Sequence, residues 1–248
     1  MPSPNTVLTA DSYVQDGLVF QLDGIEYGGI DGRWIDKKGN LVFDASKITH
    51  LNKAFSFNGT NKYASLIGAE TLVLSDDYLC EIVFEAQSST YGVILSNPAP
   101  YNYSIVVYGN KNAYFGNQYG NPLWRFTKNI SIISHQNSTC IANGVLCNRA
   151  GSDYWNVGTT LCIGNRNGGG TSYNFQGSIY AIRVYSRQLS DREILINQKI
   201  DNARFELGLN IPNEVLPATH SLSLSEPLAL HEEYRSDKEL TNETSDER

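Results

Sequence analysis

Two carboxylates four residues apart, Glu81 and Glu85, are the first residues of this 248-residue chain to ask for a chemical role. Within Tyr78 to Ala86 they share one strand face with Val83, while Cys80, Ile82 and Phe84 take the other. The segment reads as a half-buried strand. Retaining glycoside cleavage needs two carboxyls about 5 to 5.5 Å apart, whereas positions i and i+4 of an unbulged strand start ~13 Å apart. Glu81 and Glu85 therefore read as solvent-facing or hairpin-pairing residues. His50, His135, His220 and His231 have no Gly-x-Ser-x-Gly elbow to serve. No enzyme is expected.

A second kind of chemistry is recognition. A sugar is held by an aromatic ring on its apolar face and by Asn, Asp, Arg or backbone groups at its hydroxyls. Several loops hold those types: Tyr101 with Tyr103, Asn117, Tyr119 and Asn121 with Trp124, Asp153 with Tyr154 and Trp155, and Asn165, Arg166 and Asn167 with Tyr173. Each ring taken singly fits loop or core packing as well, so the group rather than any member points to carbohydrate.

Cys80, Cys140, Cys147 and Cys162 have neither CxxC spacing nor a nearby His pair, which argues against zinc. Between Cys140 and Cys147 lies Asn143-Gly144, a two-residue hairpin signal that would set the two cysteines opposite each other at a Cα separation near ~5.5 Å. A disulfide is geometrically open to them. A chain made in the cytoplasm favours reduced thiols acting as small apolar residues.

The elements that must position these residues are strands. Twenty-one Gly and 15 Tyr, one Met and only 18% charged residues suit many short strands and tight turns better than long surface helices. Leu18, Phe20 and Leu22 are expected on one face of a first strand, with Val19 and Gln21 on the other. Gly24 to Asn40, with Trp34, reads as a long loop. Ala54 to Asn58 ends a strand at a turn and Tyr63 to Ile67 begins the next. Further strands are expected at Tyr91 to Ser96, Ser104 to Tyr108, Asn112 to Phe115, Ile130 to His135, Ser138 to Ala142, Val145 to Arg149, Thr160 to Gly164 and Gly177 to Ser186. Ser190-Asp-Arg-Glu193 is a capping box, predicting one helix to about Arg204 with Ile194, Ile196, Ile200 and Phe205 as a loose apolar stripe. The fold class is all-β: a two-sheet antiparallel β-sandwich with one short C-terminal helix and an extended tail.

Charge and composition narrow the partners. The net charge is -7, of which Glu226 to Arg248, with eight Asp/Glu against three Lys/Arg, holds -5. The near-neutral body lacks the clustered Lys and Arg that phosphate binding uses, so nucleic acid is not expected. No run approaches ~18 apolar residues, so no membrane insertion is expected. Met1 to Thr6 shows no basic-then-apolar leader, which reads as synthesis in the cytoplasm and makes the four sequons at Asn58, Asn129, Asn137 and Asn242 accidental. Residues 1–15 read as an extension, 16–209 as the sandwich, and 210–248 as an acidic tail broken at Pro212, Pro217 and Pro227. Ser221 to Ser225 alternates and Leu228 to Leu230 is apolar, so part of the tail could order against another subunit.

The segment Phe175-Gln-Gly177-Ser-Ile179-Tyr-Ala-Ile182-Arg183-Val184-Tyr185, followed by Leu189-Ser190 and Glu193, resembles the closing signature of laminin-G-like jelly-roll domains of the concanavalin A-like superfamily. Phe55-Ser-Phe57-Asn58-Gly59 with Tyr63, the Asn143-Gly144 hairpin, and Leu161-Cys-Ile163-Gly164 resemble further parts in order, from about Asp16 to Phe205. Asp16 to Gly24 is also similar to the opening of such domains in gut bacterial surface proteins and bacteriophage virion proteins, and the missing leader favours the phage setting. The resemblance implies a lectin-like or adhesion module, or a virion structural or decoration protein that binds other proteins through its sandwich and tail, as a homo-oligomer or in a capsid or fibre. Hydrolases of the superfamily resemble a Glu-x-Asp-x-Glu strand, but Val83 occupies the place of the middle Asp. Such domains often hold a structural Ca²⁺, and Asp11, Asp16, Asp23, Asp31 and Asp36 offer oxygens near the early loops. Their spacing resembles no fixed calcium loop, so no ligand is assigned and no other cofactor is expected.

Overall fold

The computed structural model describes residues 7–28, 32–39, 41–68, 72, 77–87, 92–97, 102–108, 112–115, 124–125, 130–136, 139–147, 161–166 and 173–217. In chain order the strands are β1 Leu18–Asp23, β2 Arg33–Ile35, β3 Val42–Asp44, β4 Thr49–Leu51, β5 Ala54–Asn58, β6 Ala64–Leu66, β7 Leu79–Ala86 and β8 Gly92–Asn97. They continue as β9 Asn102–Tyr108, β10 Asn112–Phe115, β11 Trp124–Arg125, β12 Ile130–Gln136, β13 Thr139–Ala142, β14 Val145–Leu146, β15 Cys162–Ile163 and β16 Gln176–Tyr185, followed by helix α1, Asp191–Arg204.

These strands form two antiparallel sheets. The first runs β14-β13-β12-β7-β16-β5-β4 with β1 also paired to β16; the second runs β11-β10-β9-β8-β15-β6-β3-β2. Between them lies one apolar core to which the first sheet gives Phe20, Leu22, Phe57, Ile82, Phe84, Ile133 and Val184, and the second gives Trp34, Phe43, Ile94, Leu95, Val107 and Ile163. Each such side chain taken from water contributes on the order of 1.5–3 kcal/mol. Core and sheets make the all-β sandwich that the strand periodicity predicts.

Two β-bulges adjust which residues enter the core. In β16 the register to β7 slips between Ile179 and Ala181, so Tyr180 is the extra residue. Ile179, Ile182 and Val184 then all face inward, a spacing that strict alternation forbids. In β1 the register slips between Leu18 and Phe20. Leu18 consequently leaves the face of Phe20 and Leu22 and packs with Leu79, Tyr185, Leu189 and Ile194 on the helix side, contrary to the expected common face.

The stretch expected as a long loop from Gly24 to Asn40 contains β2, which pairs with β3. Trp34 is its central residue, fully buried, with its indole N–H donating to the Asp23 carbonyl at 3.2 Å. Three residues are too few for alternation to register, which is why the strand escapes a periodicity reading.

Helix α1 carries the predicted capping box: Ser190 Oγ accepts from the Glu193 amide while the Glu193 carboxylate accepts from the Ser190 amide at 2.8 Å. The helix covers the outer face of the first sheet, so β7 is buried on both faces rather than half-buried. The face turned inward is not the expected stripe. Ile194 and Ile200 are buried, but Ile196 is 42% exposed, and Asn197, Gln198, Asp201 and Arg204 are buried with Leu195.

Chain on either side of the expected sandwich span also packs against it. Ala10 and Tyr13 are buried, and Ile211 and Val215 rest on the two apolar clusters beneath the helix. The first compact unit reaches Pro217; residues 218–248, including Ser221 to Leu230, lie outside the described residues. No described helix is long and apolar enough to cross a membrane.

Candidate functional site

Hydrogen bonds gather polar and aromatic side chains at one end of the second sheet. Strand β15 leaves the sheet at Gly164, whose φ of +83° and close approach to Phe57, 2.3 Å from where a Cβ would stand, both call for glycine. The Gly164 amide donates to Ile94 O at 2.8 Å, and the Phe175 amide donates back to Gly164 O at 2.8 Å. Asn165 and Asn174 are buried, with Asn165 Nδ2 donating to Asn174 Oδ1 at 2.7 Å. The Ser96 hydroxyl is shared between the carbonyls of Asn165 and Arg166, at 2.8 and 2.9 Å. Two chain ends, 164–166 and 173–175, are thereby clamped together against β8.

Arg166 and Tyr173 stand on those clamped ends, both part-exposed, with the guanidinium carbon 5.1 Å from the ring centroid. Tyr173 is backed by Val93 and Val106. The result is an aromatic surface with a fork of N–H donors beside it, on a rigid strand end.

Of the residues picked from sequence, Arg166 and Tyr173 are thus brought together. On β9, Tyr103 is the register partner of Ser96. Trp124 lies on the edge strand β11, with β10 and β9 between it and β8. Tyr101, Asn117, Tyr119, Asn121, Asp153, Tyr154, Trp155 and Asn167 lie outside the described residues. Asn165 stood in the candidate loop read from sequence as a hydroxyl-binding polar residue, whereas Asn174 and Ser96 were not singled out. A buried Asn has no pattern of its own, and only the fold shows that it braces a loop.

The acidic residues considered for chemistry are committed elsewhere. Glu81 is fully buried between β7 and α1, not solvent-facing. Its carboxylate accepts from Arg183 Nε at 2.9 Å, Asn197 Nδ2 at 3.0 Å and Ser134 Oγ at 2.9 Å. Arg183, also buried, holds Asp201 with both terminal nitrogens, Nη1 at 2.8 Å. Tyr13 lies under the Arg183 guanidinium, 3.9 Å from it, donates its hydroxyl to Asp201 at 2.7 Å and accepts from Arg204 Nη1 at 3.0 Å. Arg204 in turn pairs with Asp23 and, at 2.9 Å, with Glu26.

Burial pushes the Glu81 and Asp201 carboxyls up, while Arg183 opposes the shift at both. Burial would lower the Arg183 guanidinium, but Asp201 and Glu81 outweigh it and hold it well above its ordinary value. Burial also raises the Tyr13 phenol. These are groups sealed between helix and sheet, where they fasten one to the other. Glu85 accepts from the Tyr180 hydroxyl at 3.4 Å and sits four residues along β7, so Glu81 and Glu85 do not form the close carboxyl pair of a retaining hydrolase.

The early aspartates do not form a calcium cage either. Asp23 Oδ1 accepts from the Ile25 and Glu26 amides at 2.9 Å while Oδ2 pairs with Arg204. Asp36 accepts from the Gln21 and Lys38 amides at 2.8 and 3.0 Å, and Asp16 pairs with Arg187 at 2.8 Å. Asp11 is exposed in the first turn of a short 3₁₀ segment, and Asp31 lies outside the described residues. Among the described residues no group of three or more His, Cys, Asp or Glu converges as metal ligands. Among the described residues these aspartates do not supply the six to eight converging oxygens of Ca²⁺.

Fold and site define a β-sandwich with a braced, aromatic-bearing strand end. No family model matches the chain, and no curated protein matches its sequence. Solved structures do match its fold. A Trypanosoma rangeli sialidase in complex with sialic acid superposes with a TM-score of 0.58 at 11% identity, over 81% of this chain and 34% of that one. The botulinum neurotoxin type G receptor-binding domain gives 0.53 at 15% identity over 75% of this chain and 52% of that domain. The serotype D binding domain gives 0.53 at 12%, over 74% and 52%. This chain spans about a third of the sialidase and about half of the toxin domains, and the likeness is one of fold.

Proposed function

We propose that this chain is a non-catalytic carbohydrate-binding module whose contact site is the Arg166 and Tyr173 end of the second sheet. The observation that carries the reading is the pairing of a backed, part-exposed ring with a guanidinium, on two chain ends clamped by Ser96, Asn165 and Asn174. A sugar ring stacks on Tyr173 while Arg166 donates to its hydroxyl or carboxylate oxygens. The shared fold supports a binding use, since its neighbours include a sialidase seen with sialic acid, one toxin receptor-binding domain and one toxin binding domain. The commitment of Glu81 to Arg183 supports the absence of catalysis.

A glycan array followed by titration calorimetry tests the reading. Tyr173→Ala should weaken binding about 2- to 13-fold, the loss of a ring contact of about 0.5–1.5 kcal/mol. Binding to no glycan class at millimolar concentration, or affinity indifferent to both Tyr173→Ala and Arg166→Ala, would overturn it.

A second reading is assembly into a larger particle. It is favoured by the path of the chain at Leu216, whose amide donates to Gly144 O at 2.9 Å and whose carbonyl accepts from Leu146 at 2.8 Å, so that the C-terminal segment departs from the edge of the first sheet. The virion setting itself rests on the resemblance of the opening residues. Truncation after Pro217 should abolish self-association or particle incorporation in gradient sedimentation, and normal incorporation would remove this role.

A further inference from the structure

The Asn143-Gly144 turn, with φ of +51° and +78°, closes β13 on β14 as the sequence predicts. One residue pair beyond the ladder, the Cys147 amide donates to Cys140 O at 2.7 Å, and the two Sγ atoms stand 3.1 Å apart as free thiols. A hydrogen-bonded antiparallel pair has a Cα separation of about 5.5 Å, inside the range of unstrained disulfides, so bond formation asks for about 1 Å of sulfur movement. Cys140 is fully buried and Cys147 is 7% exposed. Cys80 is also fully buried, and burial pushes its thiol up, which suppresses the reactive thiolate.

We propose that Cys140 and Cys147 are a redox-active dithiol, a modification site that takes an oxidising equivalent from a low-molecular-weight disulfide such as oxidised glutathione. The Cys147 thiolate, the less enclosed sulfur, attacks one glutathione sulfur and releases the other as glutathione thiolate. Cys140 then gives up its proton, attacks the Cys147 sulfur of the mixed disulfide and releases the second glutathione. Two protein thiols become one disulfide, and one oxidised glutathione becomes two reduced. The hairpin so welded is the one that holds the C-terminal segment. Gly144 O accepts from Leu216, the Leu146 amide donates to Leu216 O, and the Gly144 amide donates to Gln198 of α1 at 2.8 Å. Oxidation therefore stiffens the sheet edge that holds the chain at Leu216.

The test uses the full chain, equilibrated with oxidised glutathione, quenched in acid, denatured and alkylated for mass spectrometry. Two alkylated thiols with a Cys140–Cys147 crosslinked peptide are expected, against four in the reduced protein. Cys140→Ser should arrest the reaction as a glutathione adduct on Cys147, and the Leu146 and Leu216 amides should exchange with deuterium more slowly in the oxidised protein. Four free thiols after oxidation in mild urea, a crosslink through Cys80 or Cys162, or no adduct on Cys147 in Cys140→Ser would overturn the proposal.

Discussion

Replacing Arg183 with methionine would leave Glu81 and Asp201 facing each other's field inside the protein with their shared cation gone. Arg183 now gives Glu81 one hydrogen bond at 2.9 Å and Asp201 two, and all three residues are buried. Removing one partner of such a group costs about 3–5 kcal/mol, because the remaining charge has neither water nor counterion. The alternative open to a carboxyl is to take a proton. Holding one whose unfolded pKa is near 4 as the neutral acid at pH 7 costs about 4 kcal/mol, at 1.36 per pH unit. Both routes put the loss near about 4 kcal/mol, or about 9 °C in Tm for a unit of this size. The sign with pH follows. Burial already raises both carboxyls and Arg183 only opposes it, so without Arg183 their folded pKa values rise further above the unfolded ones; their contribution is fully present below about pH 4 and is lost as pH rises through the folded values. The Tm gap between Arg183→Met and the parent should therefore narrow from pH 7 to pH 5. Adding Glu81→Gln and Asp201→Asn should restore most of the stability at pH 7. Calorimetry across that pH range reads all three proteins. A loss below about 1 kcal/mol, or a gap that widens in acid, would refute the view that Arg183 neutralises two buried carboxylates.

Tyr13→Phe keeps the ring under Arg183 but deletes the hydroxyl that joins Asp201 to Arg204, and should cost about 2 kcal/mol as a lower urea midpoint at unchanged m-value. Glu193 is lowered to about 2 chiefly by its hydrogen bond from Arg187, helped by Ser190. Its stabilisation is complete above the unfolded value near 4.5 and is lost as pH falls toward about 2; Glu193→Gln should cost about 1 kcal/mol at pH 7, a figure kept small for partial exposure, and the difference from the parent should vanish by pH 2. Gly144→Ala forces a side chain onto a backbone at φ +78°, with its Cβ 2.2 Å from Pro212 Cδ. Faster protease cleavage within 211–217 is expected, with the sandwich itself remaining resistant.

The all-β architecture was legible because most strands have one face toward the core, and period-2 alternation in segments such as Tyr78 to Ala86 survives any detail of topology. The Asn143-Gly144 hairpin and the Ser190–Glu193 cap were legible for a different reason. Turn and cap chemistry is local, fixed by φ preference and by hydrogen bonds three residues apart. Arg166 and Tyr173, on which the proposed binding site rests, stand out in the sequence by residue type alone.

Tertiary structure decided the rest. The buried face of α1 follows Ile194, Asn197, Gln198, Asp201 and Phe205, a regular i, i+3, i+4, i+7 helical row. Three of its members are polar, so an apolar stripe drawn through Ile196 turned toward solvent. Those polar groups are tolerable inside only because Glu81, Ser134 and Arg183 arrive from three strands, and Tyr13 from the segment before β1, to meet them; sequence cannot pair residues 18 to 188 positions apart. The bulges at Leu18–Phe20 and Tyr180 likewise have no local signature; they arise where two strands must both satisfy a ladder and a core. Whether Glu81 is a surface acid or a sealed counterion was settled by the helix laid over it, because burial belongs to the fold and not to the residue.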